Sequence, residues 1–204
     1  MPILDHIKDA PTTTGILDVI AKRWSPRAFS ERPVSVEDLR KIFTAASWAA
    51  SSTNEQPWRF LFGRKGDTTF SKILDSMAAG NQAWAKNAPI LLLSVGKNIF
   101  SPGPYTGAAN PYALHDTGAA SAYLALQATA LGLYAHGIGG FDRERARTHF
   151  HIPADFDIGA CWAIGHLGDP DTLPENLKQQ ELAPRSRKPI ADFVFAEWDV
   201  PAHF

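Results

Sequence analysis

Ser51-Ser52-Thr53-Asn54-Glu55-Gln56-Pro57-Trp58-Arg59-Phe60-Leu61-Phe62 sets a polar, turn-prone run directly against an alternating one. Ser, Thr and Asn side chains bond to nearby backbone and favour turns, and Pro57 has no N–H to offer a ladder. Trp58 to Phe62 then reads as a strand with one apolar face. Upstream, Ser35 is a capping residue with Glu37 and Asp38 in the first turn. Leu39, Ile42, Phe43 and Ala46 recur at helical spacing, predicting a helix to about Ala50. A helix, a polar loop and a strand therefore follow one another. The loop could simply terminate the helix, but that leaves the Gln56-Pro57-Trp58 continuation without a reason.

Outward from this core the chain alternates irregularly between helix and strand. Ile16, Leu17, Val19 and Ile20 form a helical stripe after Thr12-Thr13-Thr14, stopping near Ser25 because Pro26 disfavours helical geometry before it. Phe70, Ile73, Leu74 and Met77 mark another helix, residues 81–88 read as a short connection, and Pro89 to Val95 reads as a strand buried on both faces in the middle of a sheet. Residues 98–111, rich in Gly, Pro, Asn and Ser around Phe100 and Tyr105, are expected to be a mobile substrate loop.

Tyr112 to Leu131 is an Ala/Leu-rich helix suited to a core or a dimer interface. Leu133 to Gly140 forms a strand and glycine turn, Asp142 can cap a helix from Arg143 to His151, and Phe156 to His166 makes a further strand. After a proline-containing loop, Pro189 to Trp198 is apolar and strand-like, and residues 189–204 are expected to pair with a partner chain. Periodicity alone supports mixed α and β in one domain spanning 1–204.

Twenty Lys plus Arg against 21 Asp plus Glu leave a net charge of −1, which argues against a general nucleic-acid or anionic-membrane binder. No signal peptide or apolar span is recognisable, so a soluble, cytoplasmic protein is expected. Cys161 is the single cysteine and lies in an apolar run, as a buried structural thiol would. His149 and His151 lack further ligands and would diverge on a helix, so no metal is expected, and the adjacent His115 and Asp116 side chains would diverge likewise.

Positive charge is instead local: Arg23 and Arg27 in Arg23-Trp24-Ser25-Pro26-Arg27, and Arg185 and Arg187 in Pro184-Arg185-Ser186-Arg187-Lys188-Pro189. Either pair alone suits a solvated surface. Together they make an anion clamp, because a guanidinium fork matches phosphate oxygens. GxGxxG and GxxxxGK[ST] are absent, so a mononucleotide held by side chains fits better than a Rossmann or Walker loop.

Four motifs in order, Arg-x-Ser-x-Arg at 23–27, Ser-Ser-x-Asn-x-Gln-Pro-Trp at 51–58, Gly137-Ile138-Gly139-Gly140-Phe141-Asp142 and the late basic pair, resemble the FMN-dependent nitroreductase family. The resemblance runs from about Ile16 to Trp198. It implies an α+β fold with a mixed, mainly antiparallel sheet flanked by helices, and a C-terminal strand exchanged between the subunits of a homodimer.

The resemblance also assigns roles. Arg23, Trp24, Ser25 and Arg27 match the first flavin-binding segment, with Arg23 on the phosphate and Arg27 at the ring edge where charge accumulates on reduction. Arg185 and Arg187 match the basic pair that closes on the phosphate. Asn81 either bonds the ring's polar edge or is an ordinary turn residue after Gly80. Ser51, Ser52 and Asn54 match the loop that reaches the flavin from the other subunit. Gly137, Ile138, Gly139 and Gly140 match the segment along the flavin, Gly139 standing where some members carry glutamate. His136 either lines the pocket or is structural, and Phe100, Tyr105 and Tyr112 are expected to set the substrate pocket.

The implied activity is an FMN oxidoreductase that uses NADH or NADPH to reduce nitroaromatic, quinone or related acceptors by ping-pong hydride transfer, with no dedicated protein nucleophile. The alternatives are a non-catalytic FMN-binding or sensing module, an enzyme of the same fold acting on an enone or halogenated substrate, and a non-flavin interaction protein.

Overall fold

The computed structural model describes residues 8–11, 14–101 and 103–203; Thr12 and Thr13 of the threonine run lie outside them. In chain order the elements are α1 (Asp18–Lys22), α2 (Val36–Ser47), β1 (Trp58–Arg64), α3 (Thr68–Ser76), α4 (Ala79–Ala85), β2 (Ile90–Lys97), α5 (Ala113–Ala130), β3 (Tyr134–Ile138), α6 (Arg143–Phe150), β4 (Phe156–Gly165), α7 (Glu175–Leu182), β5 (Phe195–Glu197) and β6 (Val200–Pro201). Capping chemistry starts three of the helices. Ser35, Asp67 and Asp142 accept the N–H groups of Asp38, Phe70 and Arg145, each satisfying a donor that the first helical turn leaves without a partner.

Four strands form one sheet in the order β1-β2-β4-β3, every pairing antiparallel. β2 is buried along nearly its whole length, as its unbroken apolar run requires of a central strand. Leu91, Leu93 and Val95 pack on one face with Phe70, Ile73, Trp84 and Cys161, beneath α3, α4 and α6. Ile90 and Leu92 pack on the other with Leu39, Ile42, Leu124 and Ala128, beneath α2 and α5. Between Leu93 and Val95 the register slips, and the buried Ser94 hydroxyl bonds both the N–H and the carbonyl of Ala160, each at 3.0 Å. That pair replaces ladder bonds the irregularity removes.

The α+β architecture and the antiparallel sheet agree with expectation, and several local readings need correction. Residues 81–88 are not a plain connection, since α4 occupies most of the stretch. Its helix has no side-chain cap and is held by burial of Trp84 and Ala85 and by the Gln82 side chain donating to the Met77 carbonyl at 2.7 Å. The first helix ends at Lys22 rather than near Ser25. The loop before the C-terminal segment contains α7, a helix too polar to show an apolar stripe. Pro189 to Trp198 is not one strand: a 3₁₀ turn at Ile190–Asp192 leads into the β5–β6 hairpin, reversed where Asp199 takes φ +63°. Ile190, Phe193, Trp198 and Val200 stay exposed along it.

Candidate functional site

The two arginine clusters meet. Arg185 donates to the backbone carbonyls of Ala21 and Arg23 at the end of α1, the Ala21 carbonyl also accepting the Ala10 N–H at 3.0 Å. Arg23, Arg185, Arg187 and Lys188 line an open pocket of about 900 Å³, with Ile16, Ile20, Ile190 and Phe193 as its apolar wall. Burial lowers the pKa of Arg23 and of Arg185, and repulsion within the cluster lowers both further. Like charges held this close are costly alone and favour an anion among them. Among the described residues the buried Arg185 Nε has no hydrogen-bond partner. The two forks differ in availability: that of Arg185 is occupied by carbonyls, whereas Arg23 makes one long contact, 3.4 Å to the Ser25 hydroxyl. Trp24 is buried against Tyr134 under Lys8, so its ring packs the segment from within.

The same segment reaches the glycine turn. His136 on β3 has Nδ1 2.8 Å from the Pro26 carbonyl, a bond that fixes the Nδ1–H tautomer, and its ring lies 4.6 Å from that of Trp84. Burial pushes the imidazole pKa down to about 4; Arg27 and Arg23 add to this and the Pro26 bond opposes it. The Asn81 side chain donates to the Gly140 carbonyl at 2.9 Å, so α4 carries Asn81 to the turn. A Cβ on Gly140 would stand 2.7 Å from that amide nitrogen, and one on Gly137 would press the Trp162 ring. A Cβ on Gly139 meets nothing within 4 Å, so the missing acidic side chain is not a matter of space.

A neutral His136 makes stability depend on pH with a definite sign. The unfolded imidazole protonates near 6.5 and the folded one only near 4. Its contribution is therefore full above about pH 6.5 and is lost as pH falls towards 4, about 3 kcal/mol over the interval. Thermal melts of apoprotein should show Tm falling across that window, with a shallower fall in His136→Gln. Equal slopes would refute the assignment.

The remaining predicted residues gather elsewhere. Ser51, Ser52 and Asn54 form a 3₁₀ turn with Thr53, Asn54 and Gln56 at positive φ. Asp116, buried in the first turn of α5, accepts the Ser52 N–H at 2.9 Å with one oxygen and lies 3.0 Å from His115 Nδ1 with the other. The adjacent His115 and Asp116 side chains thus meet rather than diverge. The Glu55 carboxylate accepts the Ser101 N–H at 2.9 Å and ties this loop to residues 98–111. There Phe100 is buried against Tyr105 while Tyr105 and Tyr112 are exposed. This group lies at the β1 edge and the arginine group at the β3 edge, with two strands between, about 14 Å of sheet. No hydrogen bond or ion pair among the described residues joins them.

Sequence reasoning missed Glu181 and Lys8. The Glu181 carboxylate accepts the N–H groups of Arg27 (2.9 and 3.0 Å) and Ala28 (3.0 Å), and the buried Lys8 donates to the carbonyls of Gln180 and Ala183 on either side. The available signal was spacing: Leu173, Leu177 and Glu181 recur every four residues and turn one face inward.

The family model described as the Nitroreductase family matches residues 20–75 and 63–166. The chain belongs to the nitroreductase family. A solved structure described as an oxidoreductase containing FMN is 36% identical, superposes with a TM-score of 0.86, and covers 93% of this chain and 95% of its own. An Archaeoglobus fulgidus protein provisionally named NADH dehydrogenase/NAD(P)H nitroreductase is 32% identical over 157 residues, 75% of this chain and 86% of that one. A nitroreductase-like protein from Desulfovibrio desulfuricans, solved in complex with FMN, is 26% identical with a TM-score of 0.71, covering 91% of this chain and 98% of its own. In this member of the nitroreductase family Arg23, Arg185, Asn81 and the Gly137–Gly140 turn fall towards one edge of the sheet and the Ser51–Asn54 loop towards the other.

Proposed function

We propose that the chain is an FMN-dependent oxidoreductase that accepts electrons from NADH or NADPH and reduces nitroaromatic, quinone or related small acceptors. The observation that carries this reading is the convergence of Arg23, Arg185 and Arg187 on one pocket, on a segment whose Pro26 carbonyl is bonded by His136 just before the Gly137–Gly140 turn. The residues fit the cofactor. Arg23, Arg187 and Lys188, which line the pocket, would hold its phosphate. Asn81 and the open backbone of Gly139 suit close approach of a flat ring. FMN, when bound, supplies the redox chemistry. The protein would orient it, with Arg27 as the cation for the ring edge and His136 kept neutral beside the glycine turn. Donor and acceptor would then use one slot in turn. The names of the FMN-containing relatives support the cofactor, and that of the Archaeoglobus relative supports the donor.

A homodimer is part of the proposal. The two halves of the site lie on opposite sheet edges, so a second copy is needed to bring Ser51, Ser52 and Asn54 onto an arginine cluster. Leu17, Ile20, Trp48 and Tyr123 expose apolar surface on α1, the end of α2 and α5, and the C-terminal hairpin exposes more, a quantity that water disfavours and a second copy would cover. The tail would then lie on the partner, beside the open β1 edge.

Anaerobic titration of FMN-loaded protein with NADH and with NADPH tests the activity. Bleaching of the flavin band by either is expected. A yellow protein that neither donor bleaches would be a binding module, and an apoprotein that takes up no FMN would remove the cofactor altogether.

A further inference from the structure

The segment that bears Arg23 and Arg27 is stapled from both sides by one short stretch of chain. Residues 181–187 supply an acid and a base four positions apart. Glu181 accepts the N–H groups of Arg27 and Ala28, while Arg185 donates to the carbonyls of Ala21 and Arg23. The segment presents amides at one end to a carboxylate and carbonyls at the other to a guanidinium, groups of opposite demand. Glu181 is 1% exposed. A buried carboxylate is costly unless it is bonded and compensated, and both conditions are met here, by the two amides and by the nearby Lys8 and Arg27 cations. Burial still raises its pKa, with the amides and those cations opposing. Lys8 in turn bonds the carbonyls of Gln180 and Ala183, fixing the end of α7 from below.

We propose that Glu181 is the positioning residue of the cofactor clamp: it touches no ligand, but by fixing the Arg27 and Ala28 amides it sets where Arg23 and Arg27 face the phosphate and ring of the nucleotide. The inference rests on the reading of this pocket as an FMN site. Arg185 falls in the same class of action through its bonds to Ala21 and Arg23, which leaves Arg23 and Arg187 as the freely directed cations. The staple also makes the clamp a property of both arginine segments together. Loss of Glu181 releases the Arg23–Ala28 segment while every guanidinium is still present.

The test compares FMN with riboflavin, which shares the ring and lacks the phosphate. Fluorescence titration of wild-type apoprotein is expected to show clear preference for FMN. In Glu181→Gln, which keeps volume and one acceptor oxygen, FMN affinity should fall roughly 10-fold, and in Glu181→Ala roughly 100-fold, as amides are left without acceptors. Riboflavin affinity should change much less, so the FMN-to-riboflavin ratio collapses in the order wild type, Gln, Ala. General loosening of the fold would weaken both flavins alike and would overturn the proposal, as would an unchanged ratio. Wild-type protein that does not prefer FMN would instead defeat the site reading on which it rests. Should the Glu181 variants fail to fold by circular dichroism, Lys8→Met takes their place. It frees the end of α7 without touching an arginine, the same selective loss is expected, and an unchanged ratio there overturns the proposal.

Discussion

Replacing Arg23 and Arg187 together by alanine should weaken FMN binding roughly 100- to 10,000-fold, since each charge-assisted bond to a phosphate contributes about 1.5–3 kcal/mol. These two line the pocket and, unlike Arg185, have no fork committed to distant backbone. The apoprotein should not suffer in parallel. Arg187 lowers the Arg23 pKa, so the two cations repel, and removing them relieves that repulsion. Calorimetric titration with FMN should therefore show the loss while the Tm of the apoprotein holds or rises. Arg185→Ala should behave oppositely, lowering Tm because the Arg23 carbonyl loses its guanidinium donor and the Ala21 carbonyl keeps only the Ala10 N–H. An unchanged FMN affinity in the Arg23→Ala, Arg187→Ala protein would remove the phosphate from this pocket.

The contrast among these arginines marks where the sequence could and could not be read. The run from Ser35 to Phe62 was legible because its information is local: a cap, a helical stripe, turn residues and an alternating strand stand next to one another. β2 was legible for the same reason, as a continuous apolar run. α4 was not. Gly80 and Asn81 have turn chemistry, and what makes them helical is Trp84 packed on Phe29 and His136, residues more than fifty positions away on either side. Glu181 was hidden more deeply. In a polar stretch a glutamate reads as solvated surface, and only the folded chain brings it to amides 154 and 153 positions earlier. Arg185 shows the converse. Its residue type and spacing suggest an anion ligand, but two of its nitrogens are committed to the carbonyls of Ala21 and Arg23, which no motif displays. Motif order singled out the arginine segments; the division of labour between them came from tertiary contacts.

Hybrid dimers should recover activity that neither parent has. One parent carries Arg23→Ala and Arg187→Ala, the other Ser51→Ala and Asn54→Ala, and each alone should lose most of its NADH-driven quinone reduction. Within one chain these residues sit at opposite sheet edges with β2 and β4 between them. In a two-fold dimer the loop of each chain would serve the arginines of the other, so a hybrid has one site with both defects and one with none. Random mixing of equal amounts makes half the dimers hybrid, and the mixture should regain about a quarter of wild-type activity. The loop variant should also keep its fold, because Asp116 still accepts the Ser52 N–H that anchors the turn. If each chain instead completed its own site, every site in the hybrid would carry one defect and mixing would restore nothing. Recovery by mixing and failure without it therefore separate a shared site from a private one, and the outcome does not depend on which acceptor the enzyme meets in the cell.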